Sequence, residues 1–288
     1  MASSTCNAAD RTAGFANNAY VFTNVDVGYT FNASFQVQRD WGNNLYTSLG
    51  YNFGVAQDAS SIDAEISSDA YDRNPAYGNV NEAVLANSLY GNRNRIVGTV
   101  TKKFSYGKNL GTTVSAFFQY VQGGRYSYTY SGDLNNDGSG LNDLIYIPTD
   151  AQIDQMSFAG NDAGTQRSAL KSYIAQDDYL SANRGKVAEK YATLSPWYNN
   201  WDVRILQDFG IANNKLQISL DVLNIGNLLS SKWGVRQIPT NTQPIGLAGA
   251  DAGGAPVYLF PTDLKSTFTP DPGFVSRWQA QIGLRYSF

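Results

Sequence analysis

One alternation constrains this chain more than any other feature. From Phe274 to Phe288 the even positions read Phe274, Ser276, Trp278, Ala280, Ile282, Leu284, Tyr286 and Phe288. The odd positions read Val275, Arg277, Gln279, Gln281, Gly283, Arg285 and Ser287. Only Val275 and Ser276 break a strict apolar/polar order. A period of two is that of a strand whose two faces meet unlike surroundings. A run of about fifteen residues is also long, since strands of soluble proteins run about five or six.

The same pattern recurs over 25–38, 45–56, 96–106, 110–121, 201–211 and 216–225. Phe31, Phe35 and Val37 oppose Asn32, Ser34 and Gln36; Ile218, Leu220 and Val222 oppose Gln217, Ser219 and Asp221. Lys102 is an exception on an apolar face. The polar faces hold Gly, Ser, Thr, Asn and Gln, where soluble exteriors favour Lys and Glu. Charged residues make up only 16% of the chain and aromatics 13%, against about 25% charged in ordinary globular usage. A mean hydropathy of −0.33 hides the apolar faces, because alternation averages out. Aromatics gather near strand ends: Trp278, Tyr286 and Phe288; Phe104 and Tyr106; Phe118 and Tyr120. Interfacial aromatics flanking an apolar band are what a membrane barrel needs. The expected fold is all-β, an antiparallel transmembrane β-barrel portion of seven long strands. A secreted β-sandwich also alternates and stays open as a reading.

Short links at 39–44, 107–109 and 212–215 alternate with long ones at about 57–94, 126–199 and 227–273. Periplasmic turns and extracellular loops of outer-membrane barrels show this asymmetry. Seven is an odd count, whereas bacterial single-chain barrels have even counts, and two open edges in hydrocarbon cost several kcal/mol for each unmet backbone group. Residues 19–24 read as an extension of the first strand. Residues 1–18 read as a loop remnant or irregular N-terminus. Residues 1–10 carry neither a basic nor an apolar leader region. The expectation is that 1–288 is the C-terminal part of one barrel domain in a longer chain.

Exclusions are firmer. No run of 18 apolar residues exists, so a transmembrane helix is not expected. The chain has no His and a single Cys, Cys6; a Ser-His-Asp triad, an imidazole base and a Cys-rich zinc site are therefore absent. Gly123 and Gly124 lack the Lys-Ser/Thr of a phosphate loop. No enzymatic activity is expected. A net charge of −3 gives no basic footprint for nucleic acid.

Three segments carry a resemblance. Tyr130-Ser-Gly-Asp-Leu-Asn-Asn-Asp-Gly-Ser-Gly-Leu-Asn-Asp-Leu-Ile-Tyr-Ile-Pro148 is similar to the Asp/Gly-rich loop of TonB-dependent outer-membrane receptors of the SusC-like or Oar-like kind found in Bacteroidetes. Leu220-Asp-Val-Leu-Asn-Ile-Gly-Asn-Leu-Leu-Ser-Ser-Lys-Trp-Gly234 is similar to their strand-to-loop segment, and Leu284-Arg-Tyr-Ser-Phe288 to an aromatic-terminated last strand. The resemblance implies the last seven strands of a 22-stranded barrel, located in the outer membrane of a Gram-negative bacterium, importing a glycan, peptide or metal chelate. It also implies outer-membrane lipid, a plug and further barrel strands N-terminal to this segment, and a TonB complex as partners. SusC-like proteins commonly add a surface lipoprotein, for which these residues carry no signal. The alternative is a non-transport barrel for adhesion or envelope structure.

Asp133, Asn135 and Asp137 with Gly138 follow the opening spacing of an EF-hand loop, with Asp143 one position short of its bidentate acid and Leu144 in its place. The segment is a candidate for structural Ca²⁺ or, equally, an Asx-turn loop without an ion. Asp202, Arg204, Asp208, Asp221, Arg277 and Arg285 share the polar, lumen-facing side. They read either as a substrate path and plug-docking surface or as a salt-bridge ladder, with Arg204 and Asp221 expected to be diagonal partners. Tyr126, Tyr128, Tyr130, Trp197, Tyr198 and Trp233 read either as stacking platforms or as rim anchors. Trp278, Tyr286 and Phe288 are the expected membrane-interface aromatics. Within 169–192, Leu170, Tyr173, Ile174, Asp177 and Leu180 sit loosely at helical spacing.

Overall fold

The structure, a computed structural model, describes residues 20–91, 93–211 and 214–288. The segment 1–18 and Cys6 lie outside the described residues. Seven long strands form one antiparallel sheet: β1 (Gly28–Asp40), β2 (Leu45–Asp58), β3 (Asn94–Tyr106), β4 (Leu110–Val121), β5 (Tyr198–Ile211), β6 (Asn214–Leu223) and β7 (Gln279–Ser287). They pair in chain order, a simple meander, and on this path β1 and β7 are the free edges. No helix among the described residues is long and apolar enough to cross a membrane, which says nothing of strands.

The register joins the separate alternations into two continuous surfaces. Phe35 faces Tyr51, Tyr51 faces Ile96 and Ile96 faces Tyr120; Ile205 faces Leu220 and Leu220 faces Ile282. One side of all seven strands is thus predominantly apolar, with Lys102 and Gln207 as the polar interruptions. On the other side Ser34 faces Asn52, Thr101 faces Ser115, and Arg204 faces Asp221. A one-residue slip anywhere would exchange the faces. Neither surface is covered: the buried hydrophobic cluster draws no residue from the seven strands, and Val121, at the cap end of β4, is their one buried large apolar side chain. Phe35 is 68% exposed and Ile282 78%.

Short links close one end. Gly42, Asn43 and Asn44 all take positive φ, a conformation that Gly and Asn adopt at least cost. Ile211 faces Asn214 across the last short link. At the opposite end the long links build a packed cap with helices α1 (Ser67–Asp72), α2 (Asp150–Gln155), α3 (Ala163–Gln176), α4 (Asp178–Ala182) and α5 (Ile225–Leu229). The core lies here, in Tyr126, Tyr128, Tyr130, Ile145, Ile147, Ile153, Leu170, Tyr173, Ile245, Phe260 and their neighbours.

Several expectations need correction. The last strand starts at Gln279, not 274: Phe274–Ser276 is a 3-10 turn, at the two positions where the alternation failed. Ser276 is buried there, its hydroxyl accepting from Arg236 N at 3.1 Å. The sixth strand stops at Leu223, because Asn224 turns into the left-handed region (φ 51°) and starts α5. The helix expected within 169–192 begins earlier, at Ala163, and breaks at Asp177, whose extended backbone and side chain cap α4. Tyr126, Tyr128 and Tyr130 are neither platforms nor anchors; they are buried in the cap core. Arg204 and Asp221 are direct rather than diagonal neighbours, joined by two hydrogen bonds, from Nε and from Nη2.

Candidate functional site

The cap is assembled from segments far apart in sequence, and polar side chains hold the seams. Asp177 is the central junction. Its Oδ1 accepts from Leu180 N at 2.8 Å, starting α4, while Oδ2 accepts from the Tyr128 and Thr267 hydroxyls, both at 2.6 Å. Charge-assisted bonds of this length fix three segments around one buried carboxylate. Burial, together with neighbouring groups, pushes the Tyr128 hydroxyl far above the ordinary phenolic value. It donates to Asp177 as a neutral group. Gln166 of α3 makes a second seam, accepting from Phe260 N at 2.9 Å and donating to Ala159 O at 2.7 Å. Backbone pairing continues the pattern: Ile245–Ala250 runs beside Tyr130–Ser131, and Pro256–Leu259 beside Ser157–Phe158.

The first long link is tied on by Lys190. Its ammonium is buried and donates to Ala59 O at 2.6 Å and to Asn74 Oδ1. Burial lowers its pKa from 10.5 to about 8, partly offset by Asp58. Ala76 bridges to Asp143 from the same link.

The Asp/Gly loop folds around its own backbone. Asp133 accepts from Asp137 N at 3.1 Å and Gly138 N at 2.9 Å; Asp137 accepts from Ser139 N at 2.9 Å; Asp143 accepts from Leu134 N at 2.8 Å. Asn135 Oδ1 accepts from Asp137 N at 2.9 Å. Burial raises the Asp143 carboxyl, against the pull of the Leu134 and Asn135 amides. Among the described residues no group of three or more His, Cys, Asp or Glu is arranged to hold a metal ion. The oxygens that the spacing singles out serve as turn acceptors.

The Asn-x-x-Asn-Leu-Leu-x-x-x-Trp-Gly segment has a mechanical explanation. Asn224 N donates to Asp202 Oδ1 at 2.8 Å, and Asn224 Nδ2 donates to Gly234 O at 2.8 Å. Asn227 Nδ2 donates to Trp233 O at 3.1 Å, and its Oδ1 accepts from Trp278 N at 3.3 Å. The segment is a clamp fastening the seven-stranded sheet to the third long link. Gly234 sits at φ 61°, and a Cβ there would stand 1.9 Å from Asn224 Oδ1; no larger residue fits.

The sheet's polar side carries the other charged candidates. Asp202 also accepts from Asn200 Nδ2 at 3.3 Å, Asp208 accepts from Gln217 Nε2 at 2.7 Å, and Arg285 lies opposite Gln217. Arg277 precedes β7 and donates from Nε to Pro272 O at 3.2 Å. They form one cross-strand ion pair, Arg204–Asp221, and one cross-strand hydrogen bond, Gln217 to Asp208, plus local brackets, not a continuous ladder. On the apolar side Trp278 is half-exposed, Tyr286 accepts from Asn214 Nδ2 at 2.6 Å, and Phe288 is fully exposed. Phe118 stacks on Trp201 at 4.8 Å and Tyr120 on Trp197 at 4.6 Å, two aromatic pairs toward the cap end of the sheet.

Sequence reasoning missed a cleft of about 670 Å³ on the cap. Its polar lining includes Ser131, Asp162, Asn241, Gln243, Thr262 and Asp263, above Phe260, with no Lys or Arg. Such a lining offers hydroxyl and amide partners and two carboxylates, which suits neutral or cationic polar groups and repels anions. No signal in the sequence marks it, because its residues come from four separate stretches, at 131, 159–166, 241–246 and 259–263. No family model, curated protein or solved structure matches this chain.

Proposed function

We propose that this chain is a wall section of an outer-membrane β-barrel, with its apolar face toward lipid and its polar face toward the lumen, and that the barrel is a TonB-dependent nutrient transporter. The supporting observation is the apolar face that runs across seven strands, interrupted by Lys102 and Gln207, set against a cap that buries its own apolar groups. Water-exposed sheets do not keep such a face; hydrocarbon requires it. Strands of 9 to 14 residues match the length needed to cross a bilayer, about 9–11 residues when tilted. In a seven-strand meander the first and last strands run in the same direction, both toward the short-link end. Antiparallel closure therefore requires an odd number of further strands, and fifteen would complete the 22-stranded barrel of this transporter class. The cap cleft is then the site where a polar nutrient is first held.

The packed cap equally suits a barrel built for adhesion or envelope structure, so the test separates both. Antibody against the cap is used to probe the outer-membrane fraction of the source cells. The transporter reading expects a species well above 31.4 kDa that co-purifies with the energising complex of the inner membrane. A species of 31.4 kDa without that complex favours the structural barrel, and recovery in the soluble fraction contradicts both.

A further inference from the structure

Where the wall meets the cap, a second cleft of about 360 Å³ lies between Trp197 and Trp233, with Asn199 and Lys232 in its lining. Trp197 stacks on Tyr120 at 4.6 Å, and Tyr120 stands on the apolar face of the sheet, opposite Ile96. The cleft therefore adjoins that face at its cap end. Helix α5 leads into it with Leu228 and Leu229 exposed, and Trp233 is 60% exposed. The clamp of Asn224 and Asn227 holds this segment in place, so the exposure is built into the fold. Among the described residues the Lys232 ammonium has no ion pair and no hydrogen-bond partner. A long apolar stem with a hydrated point charge, beside two indoles, is suited to the boundary between hydrocarbon and water.

We propose that this cleft binds the anionic, phosphate-bearing headgroup of an outer-leaflet lipid, with Lys232 as its counter-charge. Trp197 and Trp233 flank the headgroup, while Leu228 and Leu229 lie against its acyl chains. The proposal rests on the lipid-facing reading of the apolar sheet. A neutral headgroup fills the same space but leaves the ammonium unpaired; a single Lys at a membrane surface contributes about 1 kcal/mol, or about fivefold in affinity.

The test reconstitutes the full-length chain in bilayers of phosphatidylcholine doped with brominated phosphatidylglycerol or, separately, brominated phosphatidylcholine. Tryptophan emission is recorded for the wild type and Trp233→Phe, their difference giving the Trp233 signal. That signal is expected to be quenched at about fivefold lower mole fraction of the anionic lipid. Lys232→Glu is expected to remove the preference and Lys232→Arg to keep it, with inorganic phosphate in the aqueous phase changing neither. Equal quenching by the two lipids, a preference surviving in Lys232→Glu, or a preference abolished by inorganic phosphate would overturn the proposal. If neither lipid quenches any tryptophan, the lipid-facing reading itself fails and the proposal with it. Quenching of the remaining tryptophans without headgroup preference at Trp233 sinks the proposal alone.

Discussion

Ile282, in the middle of β7, is 78% exposed, whereas Tyr128, in the link between β4 and β5, is 1% exposed. Both belong to apolar clusters many residues across, yet only one cluster is inside the protein. The cap obeys the rule for chains in water: apolar groups packed inward and seams made by a buried carboxylate and a buried ammonium. The sheet inverts it, with a wide apolar surface left bare and small polar groups on the reverse. One chain thus contains two regions that place their apolar groups in opposite ways, joined at the clamp of Asn224, Asn227 and Gly234.

Selective damage to one region tests this division. The largest effect is expected from Tyr128→Ala, which leaves a cavity in the cap core and removes a donor to Asp177. The cap should lose about 3–5 kcal/mol, read as faster hydrogen exchange in α3 and α4 while β1 to β7 stay protected in detergent. Uniform loss across both regions would mean that they fold as one unit. Gly234→Ala strikes the junction, where a positive φ and a 1.9 Å contact should together cost about 2–3 kcal/mol. Thermal melts should show the cap loosening from the wall.

Next is a pH effect confined to the cap. Lys190 titrates near 8 in the folded cap and near 10.5 when unfolded. Between those values the unfolded chain binds a proton that the cap does not, so cap stability rises with pH from about 8, on the order of 2 kcal/mol by pH 10. Above about pH 10 it falls, because burial keeps Tyr128, Tyr130 and Tyr191 neutral while the unfolded chain ionises. Denaturant melts of Lys190→Met should lack the rise and keep the fall. Smallest of all is Asn52→Ala, removing an exposed bond of 2.7 Å to Ser34 on the polar face. It should change stability by less than about 1 kcal/mol.

How much of this was legible in the sequence follows the same division. The seven strands could be read with their faces, because an apolar face on one side and a polar face on the other impose a period of two on neighbouring residues. Their ends shifted by a few residues where a local event intervened, as at the Phe274–Ser276 turn and the left-handed Asn224. The cap was not legible. Tyr128, Asp177 and Thr267 meet across separations of 49 and 90 positions, and its apolar residues come in short runs without a sustained period. The Asn224-to-Gly234 segment stood out only by resemblance. Its geometry supplies the reason for those residues: two amides brace a turn, and a glycine makes room for one of them.

The most direct measurement is a nitroxide scan along β7, placing one spin label at a time from residue 280 to 286 in the full-length chain reconstituted in bilayers. Collision with oxygen, which concentrates in hydrocarbon, and with a water-soluble nickel chelate is then read at each position. If the even face meets lipid, oxygen collisions peak at 280, 282, 284 and 286 and chelate collisions at 281, 283 and 285. Equal access of the chelate to both sets, with no period of two, would contradict a lipid-facing wall.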